Sequence, residues 1–327
     1  MKNTMADFFR EYPDMRYIYF GGKGGVGKTV VAAAVALWMA KQGKRTLLAS
    51  TNPVHSLSNL FQLDVFGKPV LMPGTENFYV QEIDTKETIE KSKTEIREKI
   101  SWFLKFADIP TKAEDFIESA TMNPAFEESA MFENMVNIIF EGAFEFYVFD
   151  TAPTANARRL LGMSKVYGLW VDKMMKSRDE AKSMRLSLSF RKKKVEEEED
   201  PLLDYLTTFR DRIEQMRVIL TDKERSAFFF VTLLESLPIA VIRRFIGWFK
   251  DFGIPIGGVI INEAIDKSDV RDDSAEFVRN RVRMQDRYRE EVYKGFENVR
   301  GELPLFENEV RGMDMVGKLS EALFPVS

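Results

Sequence analysis

The chain has no cysteine and one histidine, His55, in 327 residues. Without thiols there is no disulfide, no thiolate zinc site and no thiolate-held iron–sulfur cluster. A lone imidazole cannot build a multi-histidine metal centre. No apolar run reaches the ~18 residues needed to cross a bilayer. The opening stretch MKNTMADFFREYPDM carries acids and no apolar core segment, so it does not read as a secretory signal. Excess charge of one sign is missing too, since 47 basic residues face 51 acidic ones for a net charge of −4. That balance argues against a general nucleic-acid or anionic-membrane binder. A soluble cytoplasmic protein is the expectation.

What is present is core-forming: 45% of the residues are apolar. The length exceeds a small single domain, which points to one large domain or a domain carrying a large insertion. Short β-prone runs alternate with helical patterns. The strands expected are Arg16–Phe20, Arg45–Ser50, Phe144–Asp150, Ser226–Leu233, Ile254–Ile261 and Val299–Leu305. The helices between and after them are Thr29–Lys41, Ile239–Phe252, Glu276–Phe296 and Met313–Leu323. Such alternation predicts an α/β fold built on a doubly wound, mainly parallel sheet. Two long helical stretches interrupt it. We therefore expect a core of residues 1–84, 143–162 and 223–327, and an inserted α-helical subdomain of residues 85–142 and 163–222. The run RKKKVEEEED, Arg191–Asp200, reads as a solvated connector.

The chemistry concentrates in FGGKGGVGKTVVAA, Phe20–Ala33. Gly22 to Thr29 fits G-x-x-x-x-G-K-T between an expected strand and an expected helix, the context a phosphate-binding P-loop requires. Glycines let backbone N–H groups converge on phosphate, and the helix amino terminus adds the positive end of its dipole. The nucleotide-binding residues expected are Gly22, Lys23, Gly24, Gly25, Val26, Gly27, Lys28, Thr29 and Val30. Lys28 would reach the β- and γ-phosphates and the Thr29 hydroxyl would bind magnesium. Asp150 closes FEFYVFD and is the second magnesium group expected, acting through water. ATP and Mg2+ are the cofactors implied.

Lys23 is the unusual residue. GKGGVGKT resembles the deviant class of P-loop ATPases, in which a lysine at this position reaches across a dimer interface to the partner's nucleotide. Such a cation can neutralise transition-state charge as an arginine finger does. The rest of the chain narrows the resemblance. STNPVHSLSNLF, Ser50–Phe61, is similar to the first switch loop of the ArsA family, and DTAPTANARRLL, Asp150–Leu161, to its second. NPAFEESAMFENM, Asn123–Met135, resembles its helical-domain signature, and ELPLFENEVRGMDMVGKLSEALF, Glu302–Phe324, its closing segment. The resemblance runs nearly end to end. It implies that Asn262 reads adenine and that Pro304 lies in the nucleotide-binding closing motif.

Within that family, the resemblance points to the guided-entry factors, which carry tail-anchored membrane proteins through the cytosol. It implies a homodimer, a client that is a hydrophobic transmembrane segment, and a membrane receptor, with no nucleic acid. Methionine, flexible and apolar, suits a client groove. The groove candidates are Met131, Met135, Met163, Met174, Met175 and Met184. Arsenite pumping, the alternative in this family, relies on soft thiolate ligands that this chain lacks. A positioning ATPase of the plasmid-partition or division-site type is the other alternative, and the large helical inserts disfavour it.

Four departures from the family pattern stand out. Asn52 occupies the position of the family's catalytic Asp. Its amide oxygen can orient water but cannot act as a carboxylate base, so slowed hydrolysis is expected. Ala275 and Val278 stand where many targeting members have the cysteines of an intersubunit zinc clasp, so no zinc is expected. Ala155 and Asn156 replace a common Gly-His in the second switch. Val241 stands where a nucleotide-contacting Glu is usual. His55 is expected to hydrogen-bond or pack within the first switch.

Overall fold

The computed structural model describes residues 3–50, 56–83, 134–150, 201–271 and 274–325, with scattered helical positions between 87 and 98 and at 172 and 176. The chain divides into two compact units. One comprises Met1–Thr85, Asn137–Asn156 and Ile219–Ser327, the other Lys86–Val136 and Ala157–Val218.

The first unit is an α/β domain. In chain order it contains α1 (Met5–Glu11), β1 (Tyr17–Gly21), α2 (Lys28–Lys41), β2 (Thr46–Ser50), α3 (Ser56–Phe61), β3 (Val70–Leu71), β4 (Phe78–Glu82) and β5 (Phe146–Asp150). After α4 (Pro201–Thr221), which carries the chain out of the second unit, come β6 (Ser226–Thr232), α5 (Ser236–Asp251), β7 (Ile256–Ala264), α6 (Glu276–Gly295), β8 (Val299–Pro304) and α7 (Gly312–Leu323). The eight strands form one sheet in the order β3-β4-β2-β5-β1-β6-β7-β8. Every pairing is parallel except the short β3–β4 edge. β1 lies between β5 and β6, so the winding reverses direction around it, and ligands in such sheets bind outside the carboxyl ends of the strands at that point.

Both sheet faces are buried, which explains why the strands read as apolar runs rather than as alternating patterns. Successive side chains of β1 point to opposite faces. Ile18 and Phe20 go to one face, where α2 packs with Ala32, Ala33, Ala34 and Ala36 fully buried. The alanines allow close helix–sheet approach and make α2 apolar all round. α7 packs beside it and against β8, with the Ser320 hydroxyl donating to the Ala34 carbonyl at 3.0 Å and Phe324 stacked on Trp38 at 4.2 Å between centroids. On the other face Tyr19 stacks between Phe228 at 4.5 Å and Phe149 at 5.2 Å.

α1 begins with a reciprocal cap. Thr4 Oγ1 accepts from the Asp7 amide at 3.1 Å and the Asp7 carboxylate accepts from the Thr4 amide at 2.8 Å. The buried Arg300 guanidinium donates to the Gly257 carbonyl at 2.7 Å, lies over the Phe8 ring, and bonds the Asn3 side chain, tying the helix to the β7–β8 edge.

The ten elements expected from sequence are present, with ends displaced by a few residues. Phe144 and Glu145 precede β5 rather than belong to it, because the amides of Glu145 and Phe146 turn to the Arg45 carbonyl. β7 runs on to Ala264, past the predicted Ile261. Residues 134–141 and Pro201–Thr221 are helical, as the inserts were expected to be. No described helix is long and apolar enough to cross a membrane.

Candidate functional site

The P-loop leaves β1 at Gly21 and enters α2 at Lys28. Two glycines are required by geometry. Gly22 has φ 147° and a Cβ there would strike the Val231 carbonyl of the neighbouring β6. Gly27, the N-cap of α2, has φ 85°, and a Cβ there would overlap the Asn262 amide nitrogen. Gly24 and Gly25 are exposed at the crest of the loop, while Val26 is buried beneath it. The first amides of α2 have no side-chain cap, so the helix start is open to an anion.

Asp150 stands beside this helix start because β5 is paired to β1 with Asp150 opposite Phe20. It is 1% exposed. Its Oδ2 accepts from the Thr29 hydroxyl at 2.6 Å and from the Ser50 hydroxyl at 3.3 Å. Burial pushes the Asp150 carboxyl above its usual range, against the Thr29 hydrogen bond, the Lys28 charge and the Ser50 hydrogen bond, while Glu82 pushes it further up. Burial lowers the Lys28 ammonium, and Asp150 opposes that shift. Each group thus restrains the other's tendency to neutralise. The Lys28 ammonium donates to the Lys23 carbonyl at 3.2 Å, folding back over the loop as a phosphate-binding lysine would.

A hydroxyl and a carboxylate oxygen are hard donors and fit magnesium. No group of three or more acidic, histidine or cysteine residues that could hold a metal occurs among the described residues. Thr29 and Asp150 would therefore hold the ion together with phosphate and water oxygens, the usual way magnesium binds at such sites. When bound it would neutralise charge on the transferring phosphoryl group.

Asn262 lies on β7 and is buried, its amide donating to the Val26 carbonyl at 3.1 Å. Glu263 follows with φ 55°, unusual for a residue other than glycine. Burial raises the Glu263 carboxyl, the Glu235 charge adds to this, and Arg281 opposes it. Arg281 itself pairs with Glu235 at 2.5 Å. Pro304 ends β8 in register with Ala264 and is exposed. Val241 is half-buried on α5.

Gly22, Lys23, Gly24, Gly25, Val26, Gly27, Lys28, Thr29 and Val30 thus form one strand–loop–helix, with Asp150 and Asn262 brought against it from β5 and β7. Of the groove candidates, Met135 is buried. Met131, Met163, Met174, Met175 and Met184 lie outside the described residues, as do Asn52, His55, Ala155, Asn156 and the run Arg191–Asp200. Sequence reasoning missed Ser50 and Glu82. Ser50 carried a usable signal, a polar residue closing an apolar β-prone run, the same signal that singled out Asp150; Glu82 closes a run that Gln81 interrupts.

A parallel sheet, a glycine loop feeding a helix start, and a buried strand-end acid on the loop's threonine define a P-loop nucleotide-binding protein. Residues 15–325 match the family described as anion-transporting ATPase, of the ArsA type, and the chain belongs to that family. It is 28% identical to ATPase ASNA1 homolog 2 of Paramecium tetraurelia over 99% of this chain and 97% of the relative. It is 30% identical to ATPase GET3A of Arabidopsis thaliana over 94% of this chain and 83% of the relative. An Aquifex aeolicus ATPase named as driving an arsenical pump is 29% identical, over 94% of this chain and 99% of that one.

Proposed function

We propose that this chain is an ATP-driven homodimeric chaperone that shields the transmembrane segments of tail-anchored membrane proteins in the cytoplasm. The observation that carries the nucleotide half is the Thr29–Asp150 pair at 2.6 Å beside the open start of α2. It supplies hard oxygen donors, a helix dipole and Lys28 at one point. Lys23 acts in trans, inserted toward the partner's nucleotide, where it neutralises transition-state charge. Asn262 and Pro304 border the base. Asn52 orients water without accepting its proton, so turnover is slow.

The client half rests on likeness to ASNA1- and GET3-type ATPases and on the methionines of the helical insert. ATP closes the dimer and assembles an apolar groove; hydrolysis opens it and releases the client to a membrane receptor. The Aquifex relative's name favours pump driving instead, but a chain without cysteine has no thiolate to bind arsenite. Co-expression with a single tail-anchor segment tests the reading. A soluble complex that forms with ATP and dissociates without it is expected. Arsenite-stimulated turnover with no client capture would replace it with the pump reading.

A further inference from the structure

The ends of β4, β2 and β5 carry three polar residues in one row. Ser50 is in register with Glu82 on one side and Asp150 on the other. All three are buried, and Glu82 is 1% exposed. The Glu82 carboxylate spans the first turn of α3. Oε1 accepts from the Leu57 amide at 2.9 Å, and Oε2 from the Ser58 amide at 3.2 Å and the Ser58 hydroxyl at 2.5 Å. A carboxylate on free amides at a helix start is doubly favourable, through charge-assisted hydrogen bonds and the dipole. The Glu82 backbone holds the chain that follows α3: its amide donates to the Val65 carbonyl at 2.7 Å and its carbonyl accepts from the Gly67 amide at 2.8 Å.

The residue that opens α3, Ser56, connects back to the phosphate end. Its hydroxyl lies 3.4 Å from the Ser50 hydroxyl, which bonds Asp150, which accepts from Thr29. A continuous path of described groups therefore runs Thr29, Asp150, Ser50, Ser56, then along the backbone to Leu57 and Ser58, and ends on Glu82.

We infer that Glu82 is a positioning residue for ATP turnover: its buried carboxylate fixes the first turn of α3, and through it Ser56, against Ser50 and Asp150. Glu82 touches neither nucleotide nor metal in this scheme. It sets where the α3 end of the first switch stands relative to the Thr29–Asp150 pair. The inference rests on the P-loop reading of the site.

The test uses the full chain carrying Asn52→Asp, for measurable turnover, with Glu82→Gln, Glu82→Asp or Ser58→Ala added. Three quantities are read together: Kd for a fluorescent ATP analogue, kcat and KM at saturating Mg2+, and the thermal midpoint. Glu82→Gln removes the charge and one acceptor position, so kcat falls about tenfold while Kd stays within about threefold. Glu82→Asp keeps the charge on a shorter arm and falls between Gln and the parent. Ser58→Ala loses one donor and lowers kcat about threefold. Equal kcat in parent and Glu82→Gln overturns the inference, and so does a Kd that worsens as much as kcat. If Glu82→Gln does not fold, an unchanged kcat in Ser58→Ala overturns it. A parent that neither binds nor hydrolyses ATP sinks the P-loop reading and this inference with it. A competent parent with variants that match it sinks this inference alone.

Discussion

Asn262 and Gly27 occupy the same space: the Asn262 amide, donating to the Val26 carbonyl at 3.1 Å, fills the place a Gly27 side chain would need. The position we propose to read adenine is thereby coupled to the loop through one side-chain-to-backbone hydrogen bond. Gly27→Ala must displace Asn262 and strain a φ of 85°. We expect its ATP affinity to drop about tenfold or more, with the far-UV spectrum unchanged. Isothermal titration with a non-hydrolysed ATP analogue measures it, and an unaltered Kd would contradict the coupling.

The two P-loop lysines are predicted to separate in their effects. Lys28 is partly buried and interacts with the Asp150 charge, and its proposed role is to bind phosphate within its own subunit. Lys28→Met is expected to abolish measurable nucleotide binding by the isolated chain. Lys23→Ala is expected to leave the Kd nearly intact and to lower turnover by about 10³-fold, the scale of a lost arginine finger. Sedimentation with ATP should show Lys23→Ala impaired as a dimer. Wild-type sedimentation and rate in Lys23→Ala would remove the in-trans role.

The proposed metal pair, Thr29 and Asp150, gives a third expectation. Asp150→Asn keeps the shape and the Thr29 hydrogen bond but deletes the charge that faces Lys28. Nucleotide binding without Mg2+ should persist or improve, because a negative charge near the phosphates is gone. The gain in affinity on adding Mg2+ should shrink. A titration of Kd against Mg2+ that superimposes on that of the parent would argue that Asp150 only caps the Thr29 hydroxyl.

Most of the sheet was legible because parallel strands buried on both faces are apolar runs, and Tyr17–Gly21 and Ser226–Thr232 are such runs. The P-loop was legible because Gly22 and Gly27 serve geometry that a residue with a side chain does not meet. β4 was not read, although Phe78, Val80 and Glu82 are buried in it, because Tyr79 and Gln81 break the run and a helical pattern begins soon after. β3 is only Val70–Leu71, an edge pairing set by tertiary structure. α1 and α3 have 7 and 6 residues, too short for a helical period to emerge. The role of Glu82 was hidden for a related reason. Its partners Leu57 and Ser58 are 25 and 24 positions away, and they meet because β4 pairs Glu82 with Ser50, at the end of the strand that leads into α3.

The α1 cap predicts a pH signature. Asp7 is lowered from 3.8 to about 2, first by the Thr4 backbone bond and then by the Thr4 hydroxyl. A group depressed by folding contributes stability above its unfolded value and loses it as pH falls through the folded one. The thermal-midpoint gap between the parent and Asp7→Asn should therefore be full near pH 5 and close between about pH 4 and pH 2. A gap that stays constant across that window would mean the cap works without the charge.

The last prediction concerns Asn52, which stands where the similar switch sequences have Asp, while Pro53, His55, Ser56 and Leu57 match them. An amide oxygen accepts one hydrogen bond from water as well as a carboxylate does, so water should still be oriented. What is lost is the negative charge and the capacity to take the proton during attack. In the proposed site, binding depends on Lys28, Thr29 and the loop amides, none of which changes. Asn52→Asp should therefore leave the Kd for ATP within about threefold and raise kcat by about 10²-fold or more, the usual weight of a general base. Phosphate release measured under saturating Mg2+–ATP decides it. Equal rates for the two forms would mean that proton transfer at this position does not limit turnover, and that the slow step lies in opening the dimer instead.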